Sequence, residues 1–321
     1  MPTVVILGAA GRLGQVLVPA FAAAGWRVLA QSRKPLPAEL SRLSGVQQLA
    51  CDALDRAPLH AGARGASVVI NALNPPYHQW ERQALPLAQA AQVLAHGLGA
   101  LLMLPGNVYN YGSKLPVRLT PDTPEVGDTS KARIRIEIEQ RMAEAPGLDS
   151  VVLRAGDFFG GSGRGSWFDL VVASRLDKGR VVYPRPLDRM HAWAYLPDLA
   201  QAFVKLAEQR ERLRGHHRLH FAGHAVEGQV LLKALQALLD KPLRAASLPW
   251  PLIRLAAPLM PSWKAIAEMR YLWERPHRLE EEALRKLIGE PAHTPLPVAL
   301  SESLAALGMA PGRREAGPQP A

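Results

Sequence analysis

The stretch ILGAAGRLG, Ile6 to Gly14, carries Gly8, Gly11 and Gly14 at G-x-x-G-x-x-G spacing. It follows the β-branched run TVVILG and opens GRLGQVLVPAFAAAG, a helix-like stretch closed by Gly25. A strand, a glycine turn and a helix in that order give the spacing a physical meaning. Gly8 permits the tight turn. Gly11 lets the backbone approach a pyrophosphate at the positive end of the helix, and Gly14 lets the helix pack on the strand. Leu13 lies inside the same turn, and Arg12 adds positive charge there.

Outward from the turn, short apolar runs alternate with helical stretches. WRVLAQSR, GVQQLACD, ASVVINAL, ALLMLPG and SVVLRAGDFFG read as further strands, and LPLAQAAQVLAHGL and SKARIRIEIEQRMAEA as helices. Near-continuous apolar strands separated by helices predict an α/β, Rossmann-type doubly wound parallel sheet. After Gly160 the pattern changes. GGSGRGSWFD is a Gly/Ser-rich loop ending in two aromatics, a helix is expected from Leu170 to Leu176, and YLPDLAQAFVKLAEQ is helical again. From about Leu243 the chain is helical and punctuated by proline. The expected division is a Rossmann domain over 1–160, to which 190–225 returns, and a small, mostly helical substrate lobe from 161–189 and 226–310. Residues 311–321 read as a disordered polar tail.

The end of the second strand bears on which dinucleotide is bound. An acidic residue there accepts hydrogen bonds from the ribose 2′-hydroxyl of NAD. The sequence is LAQSRKP, with Arg33 and Lys34 and no carboxylate. A guanidinium pairs bidentately with a 2′-phosphate, so NADP(H) is favoured and NAD(H) is the alternative.

Composition narrows the classes. The 321 residues are 48% hydrophobic and 21% charged, enough for a substantial core, and the one cysteine, Cys51, excludes an intrachain disulfide. No metal site is expected. Apolar runs such as Leu252 to Met260 are broken by Arg254 and Pro258 and fall short of the roughly 18 residues of a membrane span. PWPLIRLAAPLMPSW is expected to pack within the lobe rather than to meet lipid or a partner. The formal charge of +10 is scattered; its densest run, EQRERLRGHHR (Glu208 to Arg218), has no interleaved aromatics and reads as a solvated link, so no nucleic-acid site is expected. With no basic region ahead of the first strand, the expectation is a cytoplasmic chain, monomer or homodimer, acting on a small molecule.

G-x-x-G-x-x-G resembles the turn of the extended short-chain dehydrogenase/reductases, the NAD-dependent epimerase/dehydratase family. Other pieces agree in order: LACDALD, VVINAL, LRAGDFFG, HAWAYLPDLAQAF and the C-terminal LRKLIGEPAHTPLPVALSESLAALG. The resemblance implies that Asp52 and Ala53 sit by the adenine, Ala72 and Leu73 by the adenosine half, and Asn107, Ala155 and Phe158 along the rest of the cofactor. It is specific for fold and weakly informative about substrate.

That family works with Tyr-x-x-x-Lys on a helix, two side chains on one face. Four residues after Tyr77, Tyr109, Tyr111, Tyr183, Tyr195 and Tyr271 stand Glu81, Ser113, Leu115, Leu187, Leu199 and Arg275, so the motif is absent. If Glu137 matches the glutamate that follows the family lysine, Arg133 takes the lysine position and Thr129 the tyrosine position; Lys131 then reads as a solvated side chain. Three readings follow. Tyr109 or Tyr111, projecting from the loop after strand five, donates the proton; or Asp157 or His191 supplies it from the substrate side; or the chain binds cofactor without turnover, as a redox sensor or assembly factor. A sugar-nucleotide epimerase or dehydratase is a further alternative. Trp167, Phe168, His191, Trp193 and Tyr195 are candidate pocket residues, with Trp167 and Phe168 read either as a mobile lid or as anchors of the lobe core.

Overall fold

The computed structural model describes residues 1–309 apart from 185 and 240. Seven parallel strands form the main sheet in the spatial order His216–His220, Ser150–Arg154, Leu101–Gly106, Val68–Asn71, Thr3–Leu7, Arg27–Gln31, Val46–Leu49. The first strand is buried at all five positions, as its unbroken TVVIL requires. Its alternate residues enter different layers: Val4 and Ile6 join the cluster under helices Arg12–Ala23 and Leu196–Glu208, while Val5 and Leu7 join that under Trp80–Leu98 and Ser130–Ala143. Helices therefore cover both faces, as a doubly wound sheet demands.

Strand order reverses between Thr3–Leu7 and Val68–Asn71, whose carboxyl ends lead into Gly8 and Ala72. This is the switch point at which folds of this type leave a crevice. The edge strand His216–His220 corrects the expected link: it pairs with Ser150–Arg154, and Leu219 and His220 are buried, one on each face of the sheet. The strand expected over SVVLRAGDFFG is two strands. Ser150–Arg154 stays in the main sheet, and after Ala155 and Gly156 the chain enters a second sheet at Asp157–Phe159. That sheet pairs Asp157–Phe159 with Met190–Tyr195 and the latter with His224–Glu227. Gly156 is required at the crossing, since a Cβ there would lie 2.1 Å from the carbonyl oxygen of Ala192.

Beyond this sheet, strands Arg180–Tyr183 and Arg244–Ser247 pair, and short helices follow from Trp250 onward. The helix expected over Leu170 to Leu176 is a five-residue π-helical turn, Phe168–Val172, followed by a 3₁₀ turn, Leu176–Lys178. Phe159, Phe168, Tyr183, Trp193 and Trp273 are all fully buried and form the core of this part. The expected tail at 311–321 lies outside the described residues.

Candidate dinucleotide and substrate site

The glycine turn sits at the switch point as its spacing requires. Gly8 has φ +76°, and its N–H is bound by Gln31 Oε1 at 2.9 Å. Gly11 is the exposed N-cap of Arg12–Ala23, so the first N–H groups of that helix face outward. A Cβ on Gly14 would come within 2.3 Å of the carbonyl oxygen of Gly8, and one on Gly8 within 3.1 Å of that of Ala72. The residues present therefore fit a pyrophosphate lying across the turn. Leu13 is buried beneath it and Leu73 borders Gly8.

Arg12 differs from the expectation of a free phosphate ligand. Its guanidinium pairs with Asp169 and donates to the carbonyl of Gly160 at 3.0 Å. Burial works against the charge of Asp169, yet Ser166 and Arg12 hold that carboxyl below its ordinary range. Ser162 also donates to Gln15 at 2.8 Å, so the Gly/Ser-rich loop is clasped onto the start of the first helix.

At the adenosine end, Gln31 occupies the last position of the second strand and spans Gly8 and the carbonyl of Cys51. Arg33 reaches into solvent with 78% of its side chain exposed, 3.6 Å from Asp52. Asp52 also accepts the N–H of Leu54, and Ala53 is buried next to it. Ala72 and Leu73 are half-buried beside the glycine turn.

The loop after strand five corrects the picture of two projecting phenols. Asn107 accepts the N–H of Tyr109 at 3.0 Å and turns the chain inward. Tyr111 is buried, accepts from Arg154 at 2.7 Å and bonds His220 at 2.6 Å. It belongs to a network in which Arg154 also pairs with Glu139 and Glu125, and Asn110 donates to both carboxylates. Burial raises the pKa of Tyr111, against the pull of Arg154. Burial likewise favours the neutral form of Arg154, but Glu139 and Tyr111 outweigh it and keep the guanidinium charged. Tyr109 is 4% exposed, and its hydroxyl meets that of Tyr77 at 2.7 Å. Burial holds Tyr109 well above the ordinary 10, and burial followed by the charge of Asp157 pushes Tyr77 up to about 12.

The register of the helix Ser130–Ala143 is also corrected. Arg133 is exposed and donates to the carbonyl of Gly127 at 3.1 Å, while Glu137 pairs with Arg141. The buried glutamate is Glu139, two residues further on, so the face toward strand five carries Lys131, Arg135 and Glu139. Arg135 donates to the carbonyl of Pro105 at 3.3 Å and lies 4.9 Å over the Trp80 ring. Lys131 is buried, paired with Glu268 and bonded to the carbonyl of Ala265. Thr129 caps the helix by accepting from Ala132 at 3.1 Å, which fixes this register. Lys131-x-x-x-Arg135 therefore stands where the resemblance calls for Tyr-x-x-x-Lys. Two glutamates two residues apart concealed this; the inward Ile138 and Met142 were the available signal.

On the far side, His191 Nε2 lies 2.8 Å from Asp157, and its Nδ1 lies 3.3 Å from the carbonyl of Leu272. Both ring nitrogens therefore face oxygen atoms. The ring stacks on Trp273 at 4.2 Å. Trp167 and Phe168 are buried, with Trp167 5.3 Å from Trp273, so they anchor the lobe core and are not a lid. Tyr195 is buried and donates to Glu302; Phe158 is half-buried and Ala155 fully buried. The indole N–H groups of Trp167, Trp193 and Trp273 and the hydroxyls of Tyr183 and Tyr271 are buried without partners. Among the described residues no group of three or more His, Cys, Asp or Glu is placed to hold a metal ion.

Residues 2–94 match the NmrA-like family model. No curated protein matches the chain in sequence. Solved structures match its fold over nearly its whole length. A putative epimerase from Burkholderia cenocepacia J2315 superposes with a TM-score of 0.76 at 18% identity, covering 96% of this chain and 99% of that one. MoeE5 in complex with UDP-glucose and NAD gives 0.74 at 17%, with the same coverage. The UDP-glucose-4-epimerase from Stenotrophomonas maltophila, with bound NAD and formylated UDP-arabinopyranose, gives 0.75 at 15%, again over 96% and 99%. The fold implied by the sequence resemblance is the fold observed.

Proposed function

We propose that this chain binds NAD(P)(H) across Gly8 to Gly14 and exchanges hydride with a small hydroxyl or carbonyl substrate through a proton apparatus built from tyrosine and histidine. The observation that carries the reading is the outward-facing glycine turn at the switch point, with Asn107 and Tyr109 just past the carboxyl end of Leu101–Gly106 and Asp157 in the segment that leaves the neighbouring strand Ser150–Arg154. NADP(H) is the favoured form, on the exposed guanidinium of Arg33 and the absence of a carboxylate at the end of the second strand. The nicotinamide, when bound, gives or takes the hydride.

The protein's part is to position and to handle the proton. Tyr109 and Tyr77, held protonated by burial, are hydrogen-bond donors that polarise a carbonyl and are poor bases near neutral pH. The Asp157–His191 pair is the group suited to deliver the proton that completes the alcohol, and to remove it in the reverse direction. A nucleotide sugar is one substrate that carries such a hydroxyl or carbonyl.

The second reading, cofactor binding without turnover, is favoured by Lys131 and Arg135 in place of the family couple and by the burial of Tyr109. Calorimetric titration with NADPH and NADH tests the common step, and binding of neither defeats both readings. Aldehydes, ketones and nucleotide sugars screened by NADPH absorbance then separate them. Turnover that His191→Gln and Tyr109→Phe each lower by roughly a hundredfold supports the apparatus described. Tight binding with no turnover on any class supports the second reading.

A further inference from the structure

Four of the large apolar side chains left exposed fall within nine residues: Leu252, Leu255, Leu259 and Met260. Leu255 and Leu259 are 79% and 86% exposed. They project from the helix Trp250–Ala256 and the turn that follows it, while Trp250 and Ile253 on the opposite side of that helix are buried. The expectation that PWPLIRLAAPLMPSW packs within the lobe therefore holds for one side only. The other side adds exposed Pro251, Pro258 and Pro261 to the leucines, a continuous apolar rim.

The segment itself carries charge of one sign, with Asp177 and Glu274 the acidic residues near its ends. From Lys241 to Ala267 the sequence holds Lys241, Arg244, Arg254 and Lys264 and not one Asp or Glu. All four cations are exposed. Leu248 and Pro249, directly before the helix, also line a groove of about 400 Å³ with Leu170, Arg175, Arg180 and Val182. Leu170 is 57% exposed, and both arginines face solvent. Exposed apolar side chains on a segment whose own charges are all cationic match the two layers of a membrane surface, acyl chains below and anionic headgroups above. A protein partner would have to be both apolar and acidic at the same place; a bilayer supplies the two chemistries together.

We infer that the rim from Leu252 to Met260, with Arg175, Arg180, Arg244, Arg254 and Lys264 around it, docks the protein reversibly on an anionic lipid bilayer. The association is peripheral: no helix among the described residues is long and apolar enough to cross a membrane. The inference does not depend on the cofactor reading, because the glycine turn and the rim share no residue.

The test uses the full chain and flotation with vesicles of phosphatidylcholine alone or mixed with phosphatidylglycerol. Binding to the mixed vesicles only, weakening as salt is added, is the expected result. Leu255→Asp with Leu259→Asp removes it, and Arg254→Gln with Lys264→Gln lowers partitioning by roughly thirtyfold. Thermal unfolding and dinucleotide titration of both variants are expected to match the parent, so a loss of flotation cannot be assigned to misfolding. Equal binding to both vesicle types, or none to either, overturns the inference. So does a sedimentation result in which the parent is a dimer, the leucine variant is a monomer and neither floats, because the rim is then a contact between two copies.

Discussion

Arg33 and Gly14 are single residues whose places are legible in the sequence, and for the same reason: each is tied to a fixed position in a short motif. Gly14 is required because its α-carbon passes so close to the Gly8 carbonyl that no side chain fits. Arg33 stands two residues past the last position of the second strand, its guanidinium extended and only loosely held by Asp52. Arg33→Ala is expected to weaken NADPH by roughly ten- to a hundredfold and NADH by little, read by parallel calorimetric titrations. Equal losses would remove the 2′-phosphate assignment. Arg12 and Tyr111 are the opposite case, because their partners, Asp169 and His220, lie 157 and 109 residues away. A basic or phenolic side chain near a motif looks available in sequence, and only the tertiary fold shows what it is already bonded to.

The helix Ser130–Ala143 shows how an element can be placed correctly and still be rotated wrongly. Its existence and extent follow from the run SKARIRIEIEQRMAEA, and the structure adds the cap at Thr129. Its facing depends on which of Glu137 and Glu139 is buried, a choice made by Arg154 from another strand. The same helix carries the joint to the lobe: Glu268 accepts from Ser130 at its first turn and pairs with buried Lys131. Burial opposes the charge of Glu268, but Lys131 and Ser130 hold its carboxyl below the ordinary range. Glu268→Gln leaves the lysine buried without a counter-charge and is expected to cost about 3 kcal/mol. Thr129→Ala, which removes one cap bond at the same end, is expected to cost about 1 kcal/mol. Urea unfolding midpoints should rank the two; a smaller shift for Glu268→Gln would mean that Lys131 finds water or another partner.

For the whole molecule, the parallel sheet and its switch point are legible because its central strands are continuous apolar runs between turn signals, whereas the edge strand HHRLH is polar and reads as a link. The small sheets are not legible, because DFF and RAAS are too short to show a period and are held by pairing with distant strands. Stability should carry a signature of buried imidazoles. Burial lowers His220 to about 3, with Arg154 adding to it, and lowers His277 to about 3, with His191 adding to it. The unfolded chain takes up these protons near 6.5 and the folded chain refuses them, so their contribution is complete above that pH and is lost on acidification toward 3. Each histidine is expected to cost about 2 kcal/mol by about pH 5. Urea midpoints followed downward from neutral pH should fall accordingly, and His277→Gln should flatten the fall; an unchanged slope would mean that His277 is not buried neutral. The chain passes directly from the main sheet to the second sheet through Ala155 and Gly156, and again through residues 221–223. Gly156 lies hard against the Ala192 carbonyl and Gly223 against that of Trp193. Two joints that short and that crowded transmit rotation like welds, not hinges. The two sheets are therefore expected to move as one body.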